Sequence, residues 1–557
     1  MNQSSTQLSL PQWVLMDGEN PVCNFDPLVL ECQEVRTPNR ELSQIRVRLS
    51  LKFADDTNEE STVNLSELDR LDWNNLNRQC IINPQNRNAK GYIATIIRTR
   101  LKNAPVRTIY DLNRTGIFQI NNSVVFVAGD RVISRSPASE TDSSFLANTP
   151  FRLDTVPNLS VADAFKDMRE LISLSPEIGR VLVAHVISGI IWAAYKEANF
   201  TPNTILMVTG KSGMLKSSYV THLVQLYNRS DGIGPATRFN STKTFIEEKL
   251  YDYSECTAVI DDLHTAESKS IKRRNEDTAE EIIRRVSDNT GRGFMDGRTQ
   301  VQRQFRGNVV FIGEYTVGQA STIPRFLVAN LAKKPNGEIF NKYQLERPLV
   351  VSTFYSHFIQ WYVNHFNQIC DDIRSALTAF RKATQNSTAH GRLLDTRFHL
   401  LISYRAFLKF CKDSGCCSEQ DVADEYNFLS VYLDGLLQAQ QDRLEQDGNS
   451  GPIDYLSLIR NLYYNRAFRL VKSKDAFNKN IHDGLIYDNC IYLLGDCLDA
   501  KLRQFVTNYK RNDCTDFLAK AGALNCGPDK KSKQLGFKTD DKVKNLRFYA
   551  IPIRSLQ

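Results

Sequence analysis

The residues best placed to do chemistry begin at Gly210-Lys211-Ser212-Gly213-Met214-Leu215-Lys216-Ser217-Ser218. They follow the apolar run Thr204–Val208 and lead into a helical stretch, Ser218–Tyr227. A strand, a glycine-bearing loop and a helix opening on Lys-Ser make a phosphate cradle. Loop N–H groups and the positive end of the helix face the phosphates, Lys216 reaches the β- and γ-oxygens, and the Ser217 hydroxyl ligates Mg²⁺. The usual pattern has Gly where this chain has Leu215.

A second apolar run, Thr257–Ile260, ends in Asp261-Asp262, 45 residues beyond Lys216. In such a site Asp261 holds the metal shell and Asp262 polarises the water that attacks the γ-phosphate. Paired acids at a strand end are common by themselves. In this order behind a cradle, they predict binding of ATP with Mg²⁺. A third run, Asn308–Ile312, leads to Gly313-Glu314-Tyr315 and then to Ser321-Thr322-Ile323-Pro324-Arg325-Phe326. Arg325 either pairs with a carboxylate or caps a helix in its own subunit. In a ring it would instead reach a neighbour's γ-phosphate. Between the acids and the third run, the sequence predicts a basic loop at Lys269–Arg274, a helix at Asp277–Asp288 and a hairpin at Gly291–Arg298. That hairpin is either an exposed turn or a channel loop whose Arg292, Phe294 and Arg298 contact a nucleic-acid strand.

These residues need a scaffold, and the rest of the chain supplies one. It has 557 residues, 41% hydrophobic and 24% charged, which is globular composition and excludes a disordered or collagen-like chain. The fold class expected is multidomain α/β. Residues 1–135 read as a strand-rich N-terminal domain, with hairpins at Gln44–Leu65 and Gly116–Val127 and one helix at Gly91–Lys102. Residues 136–160 read as a polar linker. Residues 161–345 alternate apolar strands with helices, as a parallel sheet requires. Residues 346–450 carry three long helical patterns, Ser352–Lys382, Arg392–Lys412 and Ser418–Gln446. Residues 451–557 are mixed, with helices at Tyr455–Tyr464, Cys497–Tyr509 and Thr515–Ala521, a basic loop at Pro528–Lys544 and a strand at Arg547–Ile553. That is the outline of a winged helix.

Charge and cysteine usage narrow the partners. From Lys501 onward there are 13 Lys and Arg against 5 Asp and Glu, a net +8, so the whole of the chain's +7 sits at this end. A localised basic face points to a polyanion. The 12 Cys include no CxxC pair, and Cys23, Cys32 and Cys80 lack metal-ligand spacing, so no zinc is expected. Val181–Tyr195 is too short for a bilayer and contains His185, which predicts a buried helix and no membrane. The first residues resemble no secretory signal, and the expectation is a cytoplasmic protein.

Taken together, these motifs resemble the minichromosome maintenance (MCM) AAA+ helicases. Asp261-Asp262, Ala279–Asp288, Gly291–Thr299, Val309–Ile312 and Pro324-Arg325-Phe326 occupy the family's order of elements. The family's cradle also lacks Gly before its Lys. The chain is more similar still to the MCM-like replicative helicases of bacterial mobile elements, including those of staphylococcal cassette chromosomes. Thr115–Asn121, Asn240-Ser241-Thr242 and Gly313-Glu314 carry that likeness. The resemblance implies an AAA+ P-loop core, a helical lid, a C-terminal winged helix and a hexamer that translocates on single-stranded DNA. It also implies a sensor Asn after Ile312, where only Glu314 is found, and a sensor Arg in the lid, for which Arg392 and Arg397 are candidates. Two rival readings share the ATP site: an AAA+ replication initiator or loader using ATP as an assembly switch, and a superfamily 3 helicase. A remodeller that acts on no nucleic acid is a further reading, opposed by the basic C-terminus.

Overall fold

The computed structural model describes residues 11–556 apart from 122, 136–144, 230–235, 265–268, 290–292, 297–298, 303, 319–320, 449–454, 465, 504–508, 526–530 and 540–541. The chain forms two compact units, Met1–Leu444 and Glu445–Gln557.

After a two-stranded hairpin, Leu15–Asp17 with Asn20–Cys23, the first unit builds a five-stranded sheet. Its order is Phe145–Ala147, Val106–Leu112, Phe25–Arg36, Leu42–Phe53 and Asn58–Asn64. Alternation in Leu42–Phe53 puts Val47, Leu49, Leu51 and Phe53 on one face, where they pack with Trp73 and with Ile93 and Ile97 of the helix Ala89–Leu101. Three short strands follow, Gly116–Ile120, Ser123–Ala128 and Arg131–Ser134. Their period of two serves two cores. Phe118, Ile120, Val125 and Val127 join Tyr110 and Leu112, while Ile117, Phe126 and Ala128 enter the large core below. The stretch expected as a linker is built into the structure where it is described. Phe145–Ala147 pairs in parallel with Tyr110–Leu112, and Phe151–Arg152 pairs with Asn228–Arg229. Phe151 and Leu153 are buried, because even a polar stretch can anchor itself through a few apolar side chains.

The centre of this unit is a wholly parallel sheet, in the order Ala236–Arg238, Thr257–Leu263, Asn308–Gly313, Ile205–Thr209 and Phe326–Asn330. Ile205–Thr209 and Asn308–Gly313 are buried throughout, as expected of strands covered on both faces. The helix Pro176–Ile190 lies against the sheet, and Nε2 of its buried His185 is 3.0 Å from the Val309 carbonyl. Among the described residues no helix is long and apolar enough to cross a membrane. The three long helices are Val350–Thr384, Gly391–Asp413 and Glu419–Gly448, within three residues of the boundaries read from periodicity. Phe354, Phe358, Phe407 and Phe410 interlock between the first two. Lys269–Arg274, expected as a loop, begins the helix Lys269–Ser287, whose buried positions form one stripe, Asn275, Ala279, Ile282, Ile283 and Val286. Gly293–Asp296 and Thr299–Gln302 form an antiparallel hairpin that extends four residues past the expected Gly291–Arg298.

The second unit is richer in strand than its sequence reading. Its sheet runs Leu470–Val471, Gly484–Tyr487, Cys490–Leu494, Lys542–Pro552 and Lys533–Thr539. Helices Tyr455–Tyr464, Gly495–Leu502 and Arg511–Lys520 share a core with Leu493 and Ile551 of the sheet. The basic stretch expected as a loop contains a long strand, because Leu535 and Phe537 alternate inward toward Phe548.

Candidate nucleotide site

The cradle is assembled at the carboxyl end of the Ile205–Thr209 strand, where ligands of parallel sheets gather. The loop turns through left-handed backbone at Gly213 (φ 77°), a conformation available to glycine without strain. Leu215 is also left-handed, at φ 60°, so the chain keeps the backbone of the usual glycine while carrying a branched side chain there. The helix Lys216–Val224 starts at the next residue, which aims its free N–H groups at the loop. Lys211, Ser212, Gly213 and Ser217 are exposed, whereas Met214, Leu215 and Ser218 are half-buried.

Lys216 is the buried cation of this loop, only 8% exposed, and its ammonium donates to the Lys211 carbonyl at 2.6 Å. Burial pulls its pKa below the ordinary lysine value, while the charges of Glu314 and Asp261 act in the opposite direction. Those two acids therefore face the same ammonium. The strand order explains how. Asn308–Gly313 lies between the loop strand and the acid strand, so its terminal Glu314 sits between Lys216 and Asp261. The Glu314 N–H donates to the Leu263 carbonyl at 2.8 Å, which fixes this strand end to its neighbour.

On the side of Asn308–Gly313, the acid strand leaves its ladder where the acids begin. Pairing with Asn308–Gly313 is regular through Ile260 and shifts before Leu263, so Asp261 and Asp262 form a bulge on that side, while Asp261 stays paired with Arg238 on the other. Asp262 is left-handed (φ 76°), and its N–H donates to Asp261 Oδ1 at 2.7 Å. His264, which drew no attention in the sequence, lies with Nδ1 2.9 Å from Asp262 Oδ1.

The arginines lie elsewhere. Arg325 ends a short turn before the Phe326–Asn330 strand, and Phe326 is level with Ile205. The cradle follows Thr209, at the other end of that pairing, so about 20 Å of strand separates Arg325 from Gly210. Arg325 donates through Nη1 to Asp288 and through Nε to the Ser321 carbonyl at 3.2 Å. Arg392 joins the same place, donating to Ser287 Oγ at 2.8 Å and to Asp288 at 3.3 Å. Arg397 is bound to Asp434 at 2.6 Å on the neighbouring helix. Lys216, Asp261 and Glu314 are thus brought together, whereas none of the three arginines meets them within the chain. Arg292 and Arg298 lie outside the described residues, and Phe294 is placed only as backbone of the hairpin.

No protein-family profile and no curated protein matches the sequence. The fold is similar to a solved structure described as SCCmec type IV Cch, an active helicase. The TM-score is 0.53 over 96% of this chain and 95% of that one, at 12% identity. The likeness shows the fold: a helicase-like, multidomain α/β architecture along the whole chain.

One further constellation ties the N-terminal strands to the acid strand. Glu255, fully buried two residues before Thr257, accepts from Arg306 at 2.6 Å, from Arg114 at 3.1 Å and from the Ile117 N–H at 2.8 Å. A Cβ at Gly116 would strike the Glu255 side chain, which accounts for glycine in Thr115-Gly116. Its partners lie more than 50 and 130 residues away in sequence, so no local signal marks Glu255. Among the described residues, no group of three or more His, Cys, Asp or Glu side chains is placed to hold a metal ion.

Proposed function

We propose that this chain is an ATP-dependent, ring-forming DNA helicase of the AAA+ class that serves replication of a mobile element. The observation that carries the reading is that the phosphate loop and Arg325 stand at opposite strand ends of the parallel sheet. The cradle, both acids and Glu314 gather at the carboxyl ends of the strands, and Arg325 stands about 20 Å away at the amino end. A second copy that presents its Arg325 end to the cradle end completes the site, and repetition of that heterologous contact closes a ring such as a hexamer. The full-length similarity to a helicase structure supports the same reading.

Bound with Mg²⁺ in the cradle, ATP would supply the phosphoanhydride bond whose cleavage powers movement. Gly210–Ser218 orients the triphosphate through backbone N–H groups, with Lys216 leaving the Lys211 carbonyl for the phosphate oxygens. Ser217 and Asp261 hold the metal. Asp262, with its carboxylate beside His264, polarises water in line with the γ-phosphate. The neighbour's Arg325 offsets charge that grows in the transition state. The hairpin at 293–302 and the basic second unit supply contacts to single-stranded DNA and to duplex outside the ring.

ATP hydrolysis with and without single-stranded DNA, measured beside particle mass and forked-duplex unwinding, tests the proposal. Lys216→Ala and Arg325→Ala should each lose at least 100-fold in kcat. Mixing the two variants should restore turnover, because one contributes an intact cradle and the other an intact arginine. No rescue at any ratio refutes the shared site. ATP-dependent assembly without strand displacement favours a loader.

A further inference from the structure

We propose that Asp288 is a positioning residue for catalysis, holding Arg325 in the posture from which it enters the neighbouring subunit's nucleotide site. The inference rests on the shared-site reading above and assigns a role to a residue that no motif in the sequence marks.

Asp288 follows the last residue of the helix Lys269–Ser287, and its N–H still donates to the Arg284 carbonyl at 2.9 Å. A carboxylate there faces the negative end of the helix dipole, an unfavourable position unless cations compensate it. Two cations do. Arg325 Nη1 donates to Asp288 Oδ1, and Arg392 Nη2 reaches the same oxygen at 3.3 Å. The turn carrying Asp288 is clamped on both sides: Arg392 Nη1 donates to Ser287 Oγ at 2.8 Å, and Asn203 Nδ2 donates to the Ser287 carbonyl at 2.9 Å. Asp288 is therefore a fixed post and not a wandering surface acid.

The posture imposed on Arg325 suits a reaching role. Ser321 O takes Nε and Asp288 takes Nη1, so two of the five N–H groups are spent on aiming the guanidinium. Among the described residues, no acceptor takes a bond from Nη2. Asp288 is the one acid among them in ion-pair range of Arg325, whose side chain is 18% exposed. Arg284 and Arg392 have other acids acting on them, Glu280 and Asp395, so the dependence on Asp288 is specific to Arg325. A long side chain fixed beforehand loses less freedom when it meets a phosphate, and that saving appears in kcat.

Asp288→Asn is nearly isosteric and tests the idea with the full chain and ATP. The expected result is about a tenfold loss of kcat with KM for ATP within twofold. The double variant Asp288→Asn with Arg325→Ala should be no slower than Arg325→Ala alone, because both act through one guanidinium. Mixing Asp288→Asn with Lys216→Ala should restore turnover, which places Asp288 on the arginine-giving side, and Asp288→Glu should recover part of the rate. An unchanged kcat, or a loss that multiplies with that of Arg325→Ala, overturns the proposal while leaving the shared site intact. If Arg325→Ala is itself not rescued by mixing, the shared site falls and the role of Asp288 falls with it.

Discussion

Leu215 shows how much one residue can disguise a site. Sequence patterns ask for glycine at this position because of its backbone, and the structure has that backbone, φ 60°, with leucine on it. The left-handed region costs a non-glycine residue about 1–2 kcal/mol. The Leu215 side chain packs against the large core, which offsets part of that cost. Leu215→Gly should therefore leave the melting temperature within about 3 °C and hydrolysis within about threefold. Leu215→Ile keeps the apolar bulk but puts a β-branched residue where the backbone tolerates it least, and should lower the melting temperature by more than Leu215→Gly does. Thermal melts of the two variants decide it, and the opposite order would show that bulk matters here more than backbone. Lys216 and Asp261 were legible from spacing because they belong to one local pattern each. His264 beside Asp262, and Asp288 beneath Arg325, were not, since their meaning comes from pairings that only the fold creates.

Elements with strong periodicity were readable in the sequence, and elements held by distant partners were not. The 35-residue helix Val350–Thr384 repeats its apolar stripe over many turns, so its ends fall close to those expected. The short strand Phe151–Arg152 exists only because Asn228–Arg229 lies beside it. Leu470–Val471 likewise depends on Gly484–Leu485. The buried helix expected at Val181–Tyr195 was legible in kind, though it begins at Pro176 and breaks at Ile191 before a second helix, Trp192–Glu197, and its first part carries a consequence for acid stability. Burial against the sheet lowers the pKa of His185 to about 4, and His399 is lowered to about 4 by the same cause. Each is neutral in the fold and takes up a proton near its ordinary value of about 6.5 once unfolded. The unfolded chain thus binds more protons below that value, and stability falls as pH drops. From pH 7 to pH 5 each histidine should remove about 2 kcal/mol. Denaturant unfolding at the two pH values checks the drop, and His185→Gln should shrink it by about 2 kcal/mol. An identical drop in that variant would show that His185 is not held neutral.

Across the whole molecule, charge is divided unevenly between the two units. The unit Glu445–Gln557 holds 19 Lys and Arg against 13 Asp and Glu, while the first unit holds 51 against 50. Folding concentrates this excess further. The ring of Phe477 lies 5.1 Å from that of Phe537 and 5.4 Å from that of Phe548, which brings the segment 472–479 onto the sheet face of the basic strand Lys533–Thr539. Lys474 Nζ is 5.8 Å from the Phe537 ring and Lys533 Nζ is 5.8 Å from the Tyr492 ring, while Lys472 and Lys479 are exposed. Asp475 and Asp488 dilute the patch without neutralising it. If this unit contacts a DNA strand through its phosphates, each lysine in contact contributes about 0.7 to the slope of log affinity against log salt. Lys474→Gln with Lys479→Gln should then flatten the slope for a single-stranded oligonucleotide by about 1.4, with ATP hydrolysis in the absence of DNA unchanged. Anisotropy titrations between about 50 and 200 mM salt read this directly. A slope equal to that of the unaltered chain would move strand contact off this unit and leave it to the cradle-bearing half, where charge is nearly balanced and only local features such as the 293–302 hairpin remain to hold a polyanion.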